Sequence, residues 1–414
     1  MSTRANKRLV SKMRVALFVS ACLYVYVNKA RGPKVVKRIL EDSSDKQKLV
    51  KKIVFNCSVS PNACIERYRL SPAIFRQILS LFENQIDING DGIIWKSITL
   101  PLYYQLAMYM CFVGHNPSMS LMVDLFAVSN QSILKARRNI THAINKFIYP
   151  QVVTPIAELP DLESYTYNNK LGYFKEFQGV GYVWDGTHIP IEGALNENND
   201  VNMRNYKKFL STNALLCVRV GSSLLIQYAL VGADGAASDA TIYRYKNMTL
   251  LPGGMSIGDA IFPLSVNMLS PYRGVAYHRS DYDGSRIDKK PQNKEEYYNL
   301  KHNRLRNPVE RTNGVLKNRF RVLRGYRCKN LNDCYDVIYS CFALHNLIRL
   351  YDSVSDDVIY DGNFFKLLDD ALQLANNRRR SPKEIIDENN SNNKVAAKLQ
   401  RNQIAQKIWD GKSF

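Results

Sequence analysis

A chain of 414 residues that is 45% hydrophobic and 23% charged can fill two or three packed domains, and most of it is expected to fold. Lysine and arginine outnumber aspartate and glutamate by 57 to 37, a formal charge of +20, which selects a polyanionic partner, either nucleic acid or an anionic membrane. The eight cysteines include no Cys-x-x-Cys pair, which argues against a disulfide framework or structural zinc and for reduced thiols in a cytosolic or nuclear protein.

Residues 1–58 read as a basic arm around one apolar segment, Val15–Val27, preceded by Lys7, Arg8, Lys12 and Arg14. Its 13 residues are short for a bilayer span, and no small-residue cleavage site precedes the next basic run. A membrane partner is therefore not expected, and a buried or interface helix is the plain alternative. Residues 59–150 predict an all-α region. Ser71-Pro72 is an N-cap followed by proline at the first helical position, leading into Ile74, Phe75, Ile78, Leu79 and Phe82 at helical spacing. Asn89–Gly92 predicts a turn and Leu102–Val113 a second helix.

Residues 118–126, a break at Ala127-Val128, and residues 129–147 with Ser129 as cap predict helix, turn, helix. Ile133, Ala136, Ile140 and Ala143 would face inward, and Lys135, Arg138 and Asn139 outward. That is the layout of a helix-turn-helix with Lys135 and Arg138 directed at a major groove. A helical scaffold packed on the next domain is the bland reading.

Residues 151–352 change character. Strand-like runs occur at 180–191, 214–220 and 224–231, the last two joined at Gly221-Ser222. A short helix at 237–245 and a strand ending in Asp259 follow. Strand, strand, strand, helix, strand, with acids on the first and last strands, is the RNase H order. Residues 263–307 show little periodicity and read as a loop or insertion, after which Pro308 would open a helix carrying Glu310. Cys334–Tyr351 reads as an apolar helix with a core histidine, His345. Residues 353–414 read as a charged tail, solvated and partly disordered beyond 376.

The acids carry the chemistry. Asp185 interrupts an apolar strand, where an isolated carboxylate is costly unless paired or bound to a cation. Cutting or transferring a phosphodiester needs an activated nucleophile and a stabilised leaving oxygen, which two Mg²⁺ or Mn²⁺ ions about 4 Å apart supply, and such hard cations take carboxylate ligands. Asp185, Asp259 and Glu310 form the expected catalytic and metal-binding set, with Asp185 as the natural bridge. Asp239 is either a fourth metal ligand or outer-shell group, or a helix N-terminal charge complementing the dipole. His188 falls on the opposite strand face from Asp185.

On a helix, Glu310 shares a face with Arg306, Asn313, Gly314, Lys317 and Arg321. Between Lys301 and Arg327 nine lysines or arginines accompany one acid, so Arg306, Lys317 and Arg321 are expected phosphate contacts. For Glu310 taken alone, a salt bridge to Arg306 or Arg311 is the plainer reading.

These segments resemble the PIF/Harbinger transposases and the nucleases derived from them. Asp185-Gly-Thr-His-Ile is similar to the group's first-acid motif, and Tyr206-Lys-Lys-Phe-Leu-Ser211-Thr-Asn213 to its next segment. Gly235–Asp239, Gly258-Asp259-Ala-Ile-Phe-Pro263 and Val309-Glu310-Arg-Thr-Asn-Gly314-Val-Leu-Lys317 follow in the group's order. Ser238, Ile261 and Asn313 replace the group's usual His, Gly and Phe, and none of these changes removes an acid. The resemblance spans about 180–350. It implies an RNase H-like DDE nuclease that cuts and joins DNA, located in the nucleus and working with a Myb-like DNA-binding partner, with all four acids as candidate metal ligands.

The expected architecture is thus α/β, an RNase H-like core preceded by a helical, helix-turn-helix-like region. The expected function is a divalent-metal-dependent DNA endonuclease or transposase, with a homo-oligomer left open. The rival from another class is a domesticated, non-catalytic DNA-binding or adaptor protein that keeps the fold. A nuclease acting on RNA or hybrids is a third possibility.

Overall fold

The computed structural model describes residues 48–84, 100–192, 203–205, 207–221, 223–246, 248, 250–276, 290–327, 330–352 and 391–411. The Val15–Val27 segment, the Asn89–Gly92 turn and Tyr206 lie outside the described residues. Among those described, no helix is long and apolar enough to cross a membrane.

Helices Pro61–Tyr68 (α1), Pro72–Asn84 (α2), Leu102–His115 (α3), Met119–Phe126 (α4) and Asn130–Ala143 (α5) come first. In the middle of α3, Tyr104 to Met110 are all buried, so this helix is the axis of the helical region. Serines start the next two helices. Ser118 Oγ accepts from Leu121 N and Ser129 Oγ from Ser132 N, both at 3.2 Å, satisfying amide groups that have no partner within the helix. Ala127, at a φ of 48°, turns the chain between them.

On α5, Ile133, Ala136, Ile140 and Ala143 are buried while Lys135 and Arg138 are exposed. Asn139, expected outside, is half-buried. A π-helical turn, Ile144–Ile148, extends α5, and Asn145 Nδ2 donates to Asp336 O at 2.9 Å, tying the helical region to the sheet domain.

The six-stranded sheet has as its main path Val180–Glu192 (β1), Ser211–Arg219 (β2), Ile226–Asp234 (β3), Met255–Ile257 (β4) and Met268–Leu269 (β5), in the order β3-β2-β1-β4-β5, and the short strand Tyr326–Arg327 pairs with the end of β1. β1 runs antiparallel to β2 and parallel to β4. A short helix, Asp239–Tyr243 (α6), lies between β3 and β4 in the chain.

Alternation along β1 divides two cores, as period-two geometry requires. Val183 and Ile189 join the large core that includes Val309 and Leu316. Tyr182 and Trp184 enter a smaller one with Ile242, Tyr243 and Phe262. Trp184 stacks edge-on to Tyr243 at 5.0 Å between ring centroids, and its indole N–H donates to Ser256 Oγ at 2.9 Å.

Three sequence expectations are corrected. First, the helix bearing Glu310 does not begin at Pro308. It is Lys294–Arg319 (α7), with Pro308 inside it, so residues 294–307 are helix and not loop. Asn293 Oδ1 accepts from Glu296 N at 2.8 Å, and Glu296 returns a carboxylate to Gln292 N at 2.8 Å, a close relative of the capping box. An interior proline costs about 3 kcal/mol, which is offset here because Tyr298 and Leu305 before it and Val309 and Leu316 after it are all buried in the core.

Second, Arg321 does not extend the Glu310 face. α7 ends at Arg319, and Arg321 stands on a following 3-10 turn, Arg321–Arg324. Third, part of the tail is packed against the protein and not solvated. After Leu331–Asp352 (α8), residues Ser391–Asp410 form a helix (α9). α9 buries Ala397, Ile404, Ala405 and Ile408. Arg401 of α9 donates to Ser270 O and Pro271 O at 3.3 and 3.2 Å, and its guanidinium stands 3.9 Å from the Tyr272 ring centroid.

Candidate functional site

The first acid is set at the centre of the sheet. Asp185 lies on β1 opposite Leu216 of β2, on the face that α7 covers. Its Oδ1 accepts from Arg306 Nη1 at 3.1 Å and its Oδ2 from Asn313 Nδ2 at 3.1 Å. Burial is the main influence on its acidity and raises the pKa to about 6. Arg306 pulls it down, and Asp239, Asp259 and Glu310 push it up again. The four acids named from the sequence are therefore electrostatic neighbours although they stand on four elements.

Asp239 opens α6, where Ser238 Oγ caps the helix by accepting from Thr241 N at 3.2 Å. Its carboxylate is turned back onto the sheet: Oδ2 accepts from Gly186 N at 3.2 Å and Oδ1 from Asn213 Nδ2 at 2.9 Å. Burial raises its pKa, opposed by the Asn213 hydrogen bond. A Cβ on residue 186 would stand 2.0 Å from Asp239 Oδ1, so glycine after Asp185 is what lets the second acid lie against β1. Gly186→Ala is accordingly expected to displace Asp239 and lower stability by about 1–3 kcal/mol. Thermal unfolding checks this, and a wild-type melting curve would refute the packing argument.

Asp259 lies just past the end of β4, half-buried, with Oδ1 accepting from Ile261 N at 2.9 Å. Arg273 braces this turn through Ala260 O, at 3.1 Å from Nε and 2.6 Å from Nη2. Glu310, one turn beyond Arg306 on α7, is about half-exposed at 48% and is bonded to Arg306 Nη2. The Arg306 side chain, 9% exposed, thus bridges Asp185 and Glu310.

The other expected residues fall as follows. Lys317 Nζ donates to His188 O at 2.8 Å, and burial lowers its pKa against the pull of Asp185. His188 lies on the Asp239 side of β1, and its Nδ1 shares a hydrogen bond with Ser211 Oγ at 3.2 Å. Burial lowers its pKa, which Asp239 raises. Arg321 is exposed. Arg138, exposed on α5, stands 3.8 Å from Asp333 Oδ2, and Lys135 is exposed nearby. His345 is fully buried with Nε2 2.9 Å from Leu224 O, and burial brings its pKa down to about 4.

Sequence reasoning missed the roles of Asn213 and Asn313, which hold the Asp239 and Asp185 carboxylates. It took Arg306 as a phosphate contact, whereas the side chain is buried and directed at two acids. The Arg306–Glu310 salt bridge, the plainer reading of Glu310 taken alone, is present, and Asp185 is the second partner of Arg306 that the sequence did not indicate.

By donor type, carboxylates suit a hard divalent cation. By arrangement, the acids do not form a ready cage. Among the described residues no group of three or more His, Cys, Asp or Glu is placed to hold a metal ion. Where Asp185 and Glu310 come together, the cation between them is the Arg306 guanidinium.

Residues 184–346 match the model of the DDE superfamily endonucleases. No curated protein and no solved structure matches the chain. The matched span contains Asp185, Asp239, Asp259 and Glu310, together with Asn213, Arg306, Asn313 and Lys317.

Proposed function

We propose that this chain is a DNA endonuclease or transposase of the DDE type, which cuts and joins phosphodiesters with Asp185, Asp259 and Glu310 as its catalytic carboxylates. The observation that carries the reading is the match of residues 184–346 to the DDE superfamily endonucleases, within which three further acids lie near enough to a largely buried Asp185 to raise its pKa. The strand order β3-β2-β1-β4-β5, with acids on β1, just past β4 and on the covering helix, supports an RNase H-like core, and the order of the sequence motifs supports a Harbinger-type relationship.

A divalent cation, Mg²⁺ or Mn²⁺, would supply nucleophile activation and leaving-group stabilisation at these acids. The chain's own residues do the positioning. Asn313 and Asn213 orient the carboxylates of Asp185 and Asp239, and Gly186 clears the space between β1 and α6. Asp239 is read as an outer support or a further ligand. DNA is the expected substrate and a nuclear location goes with it, as does a Myb-like accessory partner.

A second reading, a DNA-binding adaptor that keeps the fold without catalysis, is favoured by the Arg306 bridge, since a cation already neutralises the acid pair. Incubating the full chain with terminal-repeat DNA and Mg²⁺ or Mn²⁺ distinguishes them. Ion-dependent nicking that stops with chelator supports the nuclease, and DNA binding without nicking under either ion supports the adaptor.

Lys135 and Arg138 are proposed DNA contacts of the helical region. Replacing both with alanine is expected to weaken binding and reduce the slope of log affinity against log salt by about 2. An unchanged slope in a binding titration would mean that α5 serves as scaffold, consistent with the proximity of Arg138 to Asp333.

A further inference from the structure

Arg306 makes an unusual use of a cation in a chain that could have left it in solvent. It sits on the inner side of α7 among buried neighbours, with Leu305 and Val309 entering the core on either side. Its guanidinium is divided between carboxylates of two elements, Nη1 to Asp185 on β1 at 3.1 Å and Nη2 to Glu310 one helical turn along. Asn313, a further turn fraction along α7, holds the other oxygen of Asp185 at 3.1 Å. Both oxygens of the central acid are thus engaged by donors from α7, and a positive charge already lies between two of the carboxylates.

We propose that Arg306 is a resident counter-cation that competes with the divalent ion for Asp185 and Glu310, so that ion binding requires the guanidinium to be displaced. This rests on the reading that these acids take a divalent cation. The physical case is one of charge and lone pairs. A carboxylate that bridges or binds a metal must present oxygen lone pairs now accepting N–H groups. A guanidinium within hydrogen-bond distance of both ligands also repels an incoming dication in a poorly solvated site. Without any cation, a buried Asp185 facing three other acids would be strongly disfavoured. Arg306 lessens that conflict without removing it, at the expense of ion affinity.

The test is Mn²⁺ binding to the full chain, stripped with chelator and then titrated by calorimetry, with thermal unfolding followed in parallel. The variants are Arg306→Gln, Arg306→Lys and, as a control for the ion site, Asp185→Asn. Arg306→Gln is expected to melt lower without ion, to bind Mn²⁺ about tenfold more tightly than wild type, and to gain more thermal stability from it. Arg306→Lys keeps the charge but lacks the planar fork that reaches two carboxylates, so it is expected to fall between the two. It carries the test if the Gln variant does not fold.

Mn²⁺ binding that is equal or weaker in the folded Arg306 variants, yet lost in Asp185→Asn, overturns the competition and leaves the metal-dependent reading standing. Failure of wild type and every Arg306 variant to bind the ion overturns both together.

Discussion

Alanine at Asp185, Asp259 or Glu310 is expected to lower strand cleavage on the order of 10³-fold or more, while binding of the same DNA changes little. The separation follows from where the charges are. The three acids are grouped around Asp185, whereas the net charge of +20 is a property of the whole chain, and removing one carboxylate leaves the phosphate-attracting surface intact. Cleavage and binding should be measured on one substrate at one salt concentration. Cleavage at near wild-type rate by any of the three variants would remove that residue from the catalytic set. Asp239→Asn reports on the fourth acid: a loss as deep as the others makes it a ligand, and a loss of about 10–100-fold makes it an outer support.

The second large effect is on stability and reverses with pH. Asp185 has a folded-state pKa of about 6, raised chiefly by burial, against roughly 3.9 in an unfolded chain. Below about pH 4 the group is protonated in both states and contributes no difference. Between about pH 4 and 6 the unfolded chain releases the proton while the folded protein keeps it, so stability falls as pH rises. Above pH 6 the cost is complete, about 3 kcal/mol from the shift.

Asp185→Asn removes that ionisation at nearly constant volume. In chelator it is expected to melt above wild type at pH 7.5 and to lose its advantage as the pH falls below about 4. An advantage that is absent at pH 7.5, or that does not vary with pH, would show that Asp185 is not held as a strained charge. Saturating divalent cation should shrink or reverse the difference, because an ion favours the ionised carboxylate. Under the proposed function, Asp185 would weaken the fold while serving the chemistry, a stability–activity conflict.

Much of this arrangement could be read along the chain. The strands appear because the apolar residues of 180–191, 214–220 and 224–231 are local patterns, and the structure shifts their ends by only a few residues. The serine caps read at 71 and 129 are present for an equally local reason, since the hydroxyl reaches an amide three residues on, and the structure adds Ser118 and Ser238 to them. Asp185 stands out because it is an acid in an apolar strand, whereas Asp239 at a helix N-terminus, Asp259 in a turn and Glu310 within a helix stand where local structure accepts an acid.

Tertiary structure decided how those acids are held. Asp185 and Arg306 are 121 residues apart, Asp185 and Asn313 128, and Asp239 and Asn213 26. No periodicity reports a contact made by the packing of α7 on β1 or of α6 on β2. Pro308 misled for the same cause: a local rule starts a helix there, and burial on both sides of the proline outweighs the one hydrogen bond it removes. Helix α9 is similar, a charged and asparagine-rich stretch that becomes a helix by burying Ala397, Ile404, Ala405 and Ile408. The sequence by itself singled out Asp185, Asp239, Asp259 and Glu310 as candidates, because side-chain type and local pattern are written in it. Only the tertiary structure decided that the cation between Asp185 and Glu310 is Arg306, because charge pairing inside a protein depends on which elements exclude water together.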